Sequence, residues 1–182
     1  KNQKEAEITI NKIYEYYDEY NISSQVSDYE KKSLTSKGNW KNNIVFIGDD
    51  EDFNEHMKQS DALAQKADTI LGVLNQKKIF IDAFPQESTT TGDVSPETNR
   101  KLNKSLEEGT LIVNYTGHGG ELGWAEERIL LVQDIHNMSN RNRLPLFVTA
   151  TCEFSRFDSP EEVSAGEHLI LQHQGGAIAL FT

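Results

Sequence analysis

Short apolar runs interleaved with amphipathic stretches constrain this chain more than any other feature. Residues 44–48 (IVFIG), 78–83 (KIFIDA), 111–115 (LIVNY), 146–150 (LFVTA) and 177–181 (AIALF) read as strands. The unbroken apolar character of residues 44–48 is that of a strand covered on both faces. From about Asn54, the residues Met57, Leu63, Ala64, Ala67, Ile70, Leu71 and Leu74 form one apolar stripe at helical spacing. Ser95-Pro96 offers a cap and a first-turn proline to a second helix, with Leu102 and Leu106 inward and Gly109 as its stop. Ser164 with Glu167 three residues later is a capping box, and Leu169, Ile170 and Gly175 complete that helix before the last strand. Strands alternating with helical crossovers predict an α/β fold, a three-layer α-β-α sandwich around a mostly parallel sheet.

Ahead of this pattern, Ala6, Ile10, Ile13, Tyr14 and Tyr17 give residues 5–20 an amphipathic helical stripe. Residues 23–42 are polar and read as a connector, so the domain proper is expected over 43–182. Lys1 opens without a basic-then-apolar leader and Thr182 follows directly on an apolar strand, so both ends read as cut. A chain of 182 residues is long enough to bury a core without disulfides or metal. It has no run of eighteen apolar residues, so no helical membrane span is expected. With a net charge of −11 and cations scattered among acids, a phosphate backbone would be repelled, and nucleic acid is excluded as a partner. The single cysteine rules out an internal disulfide.

In parallel sheets, reactive groups gather past the carboxyl ends of the strands. Two segments occupy that position. Residues 114–121 (NYTGHGGE) continue the third strand, and residues 149–154 (TATCEF) continue the fourth. If those strands are neighbours, about 5 Å apart, His118 and Cys152 meet across their tips. An imidazole beside a thiol takes its proton or stabilises the thiolate, the attacking species. The glycines around His118 let the backbone turn sharply and bring an N–H to a substrate carbonyl. The amides of Gly119 and Cys152 are therefore the candidate oxyanion donors. Singly, a cysteine at a strand end is most often a small hydrophobe and a glycine-flanked histidine a turn residue. Their conjunction on successive core strands is what points to a dyad.

Asn114-Tyr115-Thr116-Gly117-His118-Gly119-Gly120-Glu121, Trp124 soon after, and Leu144-Pro145-Leu146-Phe147 running into Ala150-Thr151-Cys152 resemble the catalytic region of the gingipains, the C25 cysteine peptidases. The wording GWAEER after the glycines and TATCEFSRFD around the cysteine, then Ser164-Ala165-Gly166-Glu167, is similar to the PorU-type members, the sortases of type IX secretion. The resemblance runs from about Gly38 to the end of the chain. It implies a caspase-hemoglobinase fold with Cys152 as nucleophile, His118 as base and Gly119 at the oxyanion site. It also implies an acid just after the first strand that orients the histidine. Asp49 and Asp50 are the candidates, with Asp50 preferred. Trp124 and Glu153 would then border the substrate pocket, and residues 1–22 would end a preceding smaller subdomain.

For the PorU type, the resemblance implies removal of a C-terminal signal domain from secreted cargo through a thioester, with transfer to a lipopolysaccharide amine. The implied partners are such cargo proteins, the lipopolysaccharide acceptor and other type IX secretion components, at the outer membrane or cell surface of a Gram-negative bacterium. Arg or Lys selectivity is not carried over, because residues 52–56 (DFNEH) stand in a shifted register where gingipains place the selecting aspartate. No cofactor is expected. The acidic turn 49–52 reads as solvated, with calcium the one cation its oxygens would suit. His56, His136, His168 and His173 read as surface or packing residues. His168 and His173 lie about 140° apart around a helix, which disfavours a zinc pair. A serine hydrolase lacks its nucleophile, since no Gly-x-Ser-x-Gly occurs. A catalytically silent binding or scaffold module with the same fold is the rival from another class.

Overall fold

The computed structural model describes residues 38–90 and 92–182. The expected helix over 5–20 and residues 23–37 of the connector lie outside these. Gly38–Asn42, the connector's end, is a short 3₁₀ helix that buries Trp40. The elements that follow are β1 (Asn43–Gly48), α1 (Glu51–Leu71), β2 (Asn75–Phe80), β3 (Glu87–Thr89), β4 (Gly92–Val94), α2 (Pro96–Glu108) and β5 (Ile112–Thr116). Then come β6 (Gly119–Gly120), β7 (Gly123–Trp124), β8 (Leu130–Leu131), α3 (Val132–His136), β9 (Leu146–Ala150), α4 (Ala165–Leu171) and β10 (Ala179–Phe181).

The main sheet has five strands in the order β10-β9-β5-β1-β2, and every pairing in it is parallel. Alternate residues of β1 serve two cores, which makes the architecture three-layered. Val45 and Ile47 join Leu102 and Leu106 of α2 in the larger cluster. Ile44 and Phe46 pack with Ala64 and Ala67 of α1 in the smaller one. The expected α/β sandwich is therefore the observed fold.

Local departures have local causes. The second strand is Asn75–Phe80, not 78–83, because its register with β1 runs from Asn43↔Asn75 to Gly48↔Phe80. Where β1 ends, β2 has no partner, and Ile81–Ala83 turns into a 3₁₀ helix. Helix α1 meets the sheet through small residues, with Ser60 and Ala64 buried and Ser60 Oγ donating to the Ile47 carbonyl at 3.1 Å. Leu63, Ile70 and Leu71, expected on its inner stripe, are 44%, 67% and 44% exposed. A sheet that admits Ser and Ala at its closest approach leaves no depth for those larger side chains. Pro96 opens α2 as expected, but the Ser95 hydroxyl makes no cap hydrogen bond and pairs with Thr98 Oγ1 at 2.7 Å. The capping box at α4 holds, with Glu167 Oε2 accepting the Ser164 N–H at 2.9 Å.

Between β5 and β9 the chain builds a three-stranded antiparallel sheet, β6-β7-β8. Its Trp124 stacks on Tyr115 at 4.4 Å and contacts Phe147 and Phe154 at 5.7 and 5.3 Å. All four rings are fully buried. They fasten the small sheet and the loop after β9 to the main sheet. Removing the Trp124 ring would open a cavity that rigid neighbours cannot fill. Trp124→Ala is expected to lower the unfolding free energy by about 3–5 kcal/mol in urea titrations. Leu122→Ala, at a position 66% exposed on the same turn, should stay within about 0.5 kcal/mol of the parent. Equal effects of the two would contradict this packing.

Candidate active site

Three neighbouring parallel strands end together. Thr116 of β5 pairs with Ala150 of β9 on one side and with Gly48 of β1 on the other. Just past these ends, the Gly117 N–H donates to the Ala150 carbonyl at 3.1 Å and the Asp49 N–H to the Thr116 carbonyl at 3.0 Å. Thr151-Cys152, Gly117-His118 and residues 49–52 therefore leave the sheet at the same rim.

The His118 backbone is held from both sides. Asp49, fully buried, accepts the His118 N–H on Oδ2 at 2.8 Å and the Asp50 N–H on Oδ1 at 3.0 Å. The Tyr115 hydroxyl donates to the His118 carbonyl at 2.5 Å and lies 3.4 Å from Asp49 Oδ2. The Ala125 N–H reaches that carbonyl too, at 2.9 Å. Burial first, then the Asp49 charge, raises the Tyr115 pKa far above the ordinary phenol range, so it stays a donor. Gly117 must lack a side chain here, since a Cβ would lie 2.5 Å from the Tyr115 hydroxyl oxygen and 2.7 Å from Asp49 Oδ2.

The ring of His118 turns to the start of α1. Its Nε2 lies 3.1 Å from Asp52 Oδ2 and 3.4 Å from Glu51 Oε2, and the His56 ring stands edge-on at 5.0 Å. Asp52, Phe53 and Asn54 have φ of 52°, 57° and 62°, a left-handed turn made without glycine. Each such residue costs on the order of 1–3 kcal/mol, and the turn sets Asp52 against the imidazole. Desolvation is the largest single effect on His118 and lowers its pKa. The Asp52 hydrogen bond and the charges of Asp49, Glu51 and Asp52 outweigh it, so the net shift is upward.

Cys152 is exposed, and the chain turns sharply after it, with Glu153 at φ 53°. Among the described residues, the Cys152 N–H donates to no backbone carbonyl. The two loops touch one residue from each reactive group: a Cβ on Gly119 would lie 2.5 Å from Thr151 Oγ1. His118 precedes that glycine and Cys152 follows that threonine. Arg156 ties the loops from outside, its Nη1 at 2.8 Å from Glu121 Oε1 and 3.8 Å from Glu153 Oε1. No hydrogen bond joins the His118 ring to the thiol among the described residues; in substrate-free enzymes such contacts often tighten only on binding.

The other expected site residues are placed as follows. Asp50 does not meet the imidazole; its Oδ2 accepts from Gln86 Nε2 at 2.5 Å. Gly119 lies in β6, paired with Trp124. Trp124, expected to border the pocket, is corrected to a core residue, because it is fully buried under the rim. A cleft of about 910 Å³ opens beside the His118 loop, lined in part by Gly120, Glu121, Leu122 and Glu126, though by neither Cys152 nor His118. Glu127 is buried at 6% exposure. Desolvation foremost, then the charges of Asp50, Asp49 and Glu51, pushes its pKa up to about 7. Sequence reading missed Glu51, Asp52, Thr151 and Arg156. The acidic turn was visible, but nothing in residues 52–54 signals the left-handed backbone that aims it.

The model of peptidase family C25 matches residues 1–182. Lys-gingipain HG66 of Porphyromonas gingivalis is 25% identical over 160 residues, 87% of this chain and 8% of that protein. The crystal structure of the Arg-specific cysteine proteinase gingipain R is similar with a TM-score of 0.58 at 17% identity, over 79% of this chain and 32% of that one. A structure described as a protease gives 0.65 at 18% identity, over 97% of this chain and 33% of that one. The chain thus spans about a third of these solved structures and under a tenth of the curated relative.

A raised histidine pKa gives a direct readout. The His118 ring, followed by NMR, is expected to titrate above an unperturbed histidine, and Asp52→Asn should lower its midpoint. Because the folded pKa lies above the unfolded one, the stabilisation from this pairing is complete below the unfolded pKa. It is lost as pH rises through the folded value. An unchanged midpoint in Asp52→Asn would contradict the contact.

Proposed function

The chain belongs to peptidase family C25, and from that premise we propose that it performs thiol peptidase chemistry at the shared rim of β5 and β9, within a catalytic unit of residues 43–182. Cys152 is the nucleophile and His118 the base. The Cys152 Sγ–H proton passes to the imidazole as sulfur attacks the scissile carbonyl carbon. The resulting oxyanion is held by the amides of Gly119 and Cys152. The C–N bond then breaks, the imidazolium returns its proton to the leaving amine, and a thioester remains. Water or an amine attacks that thioester, with His118 again taking the proton, and expels the thiolate. The acids engage Nε2, which leaves Nδ1 as the ring nitrogen for the thiol. Asp52 and Glu51 orient the ring and favour the imidazolium, which steadies the thiolate beside it.

The observation that carries this reading is the contact of Gly119 with Thr151, one residue from the base and one from the nucleophile. The finer reading is a PorU-type sortase. In it, the substrates are proteins bearing a C-terminal secretion signal, the acyl acceptor is a lipopolysaccharide amine, and the enzyme works with other type IX components at a Gram-negative cell surface. The motif wording around Gly123-Trp124 and Cys152 supports it. The competing reading is a catalytically silent scaffold, and it rests on the engagement of the His118 ring with Asp52 instead of with the thiol.

Iodoacetamide separates the two. Near pH 7 it is expected to alkylate Cys152 faster than an ordinary exposed thiol, and His118→Ala should slow the reaction several-fold. Equal rates would favour the scaffold. In the producing cell, Cys152→Ala is expected to leave cargo with its signal domain attached, and normal processing would contradict the sortase reading.

A further inference from the structure

Away from the rim, the packing of α3 on α4 brings together two histidines that lie 32 residues apart in the chain. His136 Nε2 stands 3.1 Å from His168 Nδ1, and the two rings meet edge to face, with centroids 4.7 Å apart and planes at 87°. Gln172, just past α4, holds the end of α3 in place. Its Nε2 donates to the Ile135 carbonyl at 3.0 Å and to the His136 carbonyl at 2.6 Å. His136 is exposed and His168 half-buried. Spacing along the chain hides this pair, because each histidine finds its partner on the other helix.

We propose that His136 and His168 form a binding site for a divalent transition-metal ion of the zinc class. Imidazole nitrogen suits zinc, copper and nickel. A tetrahedral zinc ion with bonds of about 2.0–2.1 Å sets two ligand nitrogens about 3.3 Å apart. The two ring nitrogens already stand 3.1 Å apart, so a metal ion can replace their shared hydrogen bond by a swivel of the rings. The ring that donated then carries its proton on its other nitrogen and binds as a neutral imidazole. Water completes the coordination from the solvent side, where His136 is open. Two imidazoles and water make a site of modest affinity, and they offer nothing to calcium or magnesium, which take oxygen ligands.

The bridge would fasten α3 to the helix that carries both rim loops. At the first turn of α4, the Ala165 N–H donates to the Glu121 carbonyl at 2.6 Å and the Gly166 N–H to the Phe154 carbonyl at 2.7 Å. Ser164 Oγ accepts the Arg156 N–H at 3.1 Å. Occupancy therefore steadies the helix to which the histidine and cysteine loops are tied. The site itself does not depend on the peptidase reading; only this coupling does.

Titration of the histidine-labelled, chelator-treated chain with zinc chloride, followed by NMR, reads each ring separately and needs no activity assay. The His136 and His168 rings are expected to shift together, to return on addition of EDTA and to ignore magnesium chloride. The same zinc should raise the melting temperature. His168→Gln should weaken the zinc response of His136 at least ~tenfold. His136→Gln, at an exposed position, should do the same to His168 and keeps the test readable if His168→Gln fails to fold. Rings of His136 and His168 that stay unmoved at millimolar zinc, a zinc response confined to His118 and His56 at the rim, or an undiminished response of either histidine after loss of the other would each overturn the assignment.

Discussion

The rim of this molecule is organised around a carboxylate that solvent does not reach. Asp49 leaves β1 with 0% exposure, and burying its charge is unfavourable unless its oxygens are supplied with donors. Two backbone amides supply them, that of its immediate neighbour Asp50 and that of His118 just past the end of the adjacent strand. Charge-assisted bonds of this kind are roughly twice as strong as neutral ones, so the His118 turn is fixed to the end of β1. The run Tyr115-Thr116-Gly117-His118 acquires a physical meaning from this. The tyrosine hydroxyl takes the histidine carbonyl, and the missing side chain of Gly117 is the space that Asp49 and Tyr115 occupy.

With the backbone of His118 held by Asp49, its ring answers to a different pair of acids. Asp52 and Glu51 reach it from the opening turn of α1, where three left-handed residues bend the chain back towards the rim. The division of labour is clear: the buried acid positions the backbone, and the exposed acids tune the imidazole. Across the rim, Arg156 joins Glu121 of the histidine loop to Glu153 of the cysteine loop. Exposed ion pairs of this sort contribute little to stability; the stronger tie between the two segments is the buried contact of Trp124 with Phe154.

Much of this was legible in the residues. Apolar runs marked all five strands of the main sheet, and the two reactive segments stood out because both follow such runs directly. What period and composition could not show were features set by pairing or by unusual backbone. β2 begins and ends where β1 does, which no property of its own residues announces. The short strands from Gly119 to Leu131 have no repeat long enough to read. Trp124 looked like a wall and is a floor, since a tryptophan after glycines has the same sequence signature in either place. The acids facing His118 sat in plain view within residues 49–52, yet choosing among them needed the φ values of Asp52, Phe53 and Asn54, all from residues that usually avoid that region.

The central claim is that the thiol of Cys152 and the side chain at position 118 project side by side from one rim. Because the chain has a single cysteine, His118→Cys creates one defined pair for dibromobimane, a short bifunctional reagent that fluoresces strongly only when both arms have reacted with thiols. The account predicts rapid fluorescence with one intramolecular cross-link in the peptide map, while monobromobimane labels both positions. Labelling of both thiols by the monofunctional reagent with no cross-link would place the two groups apart and contradict it.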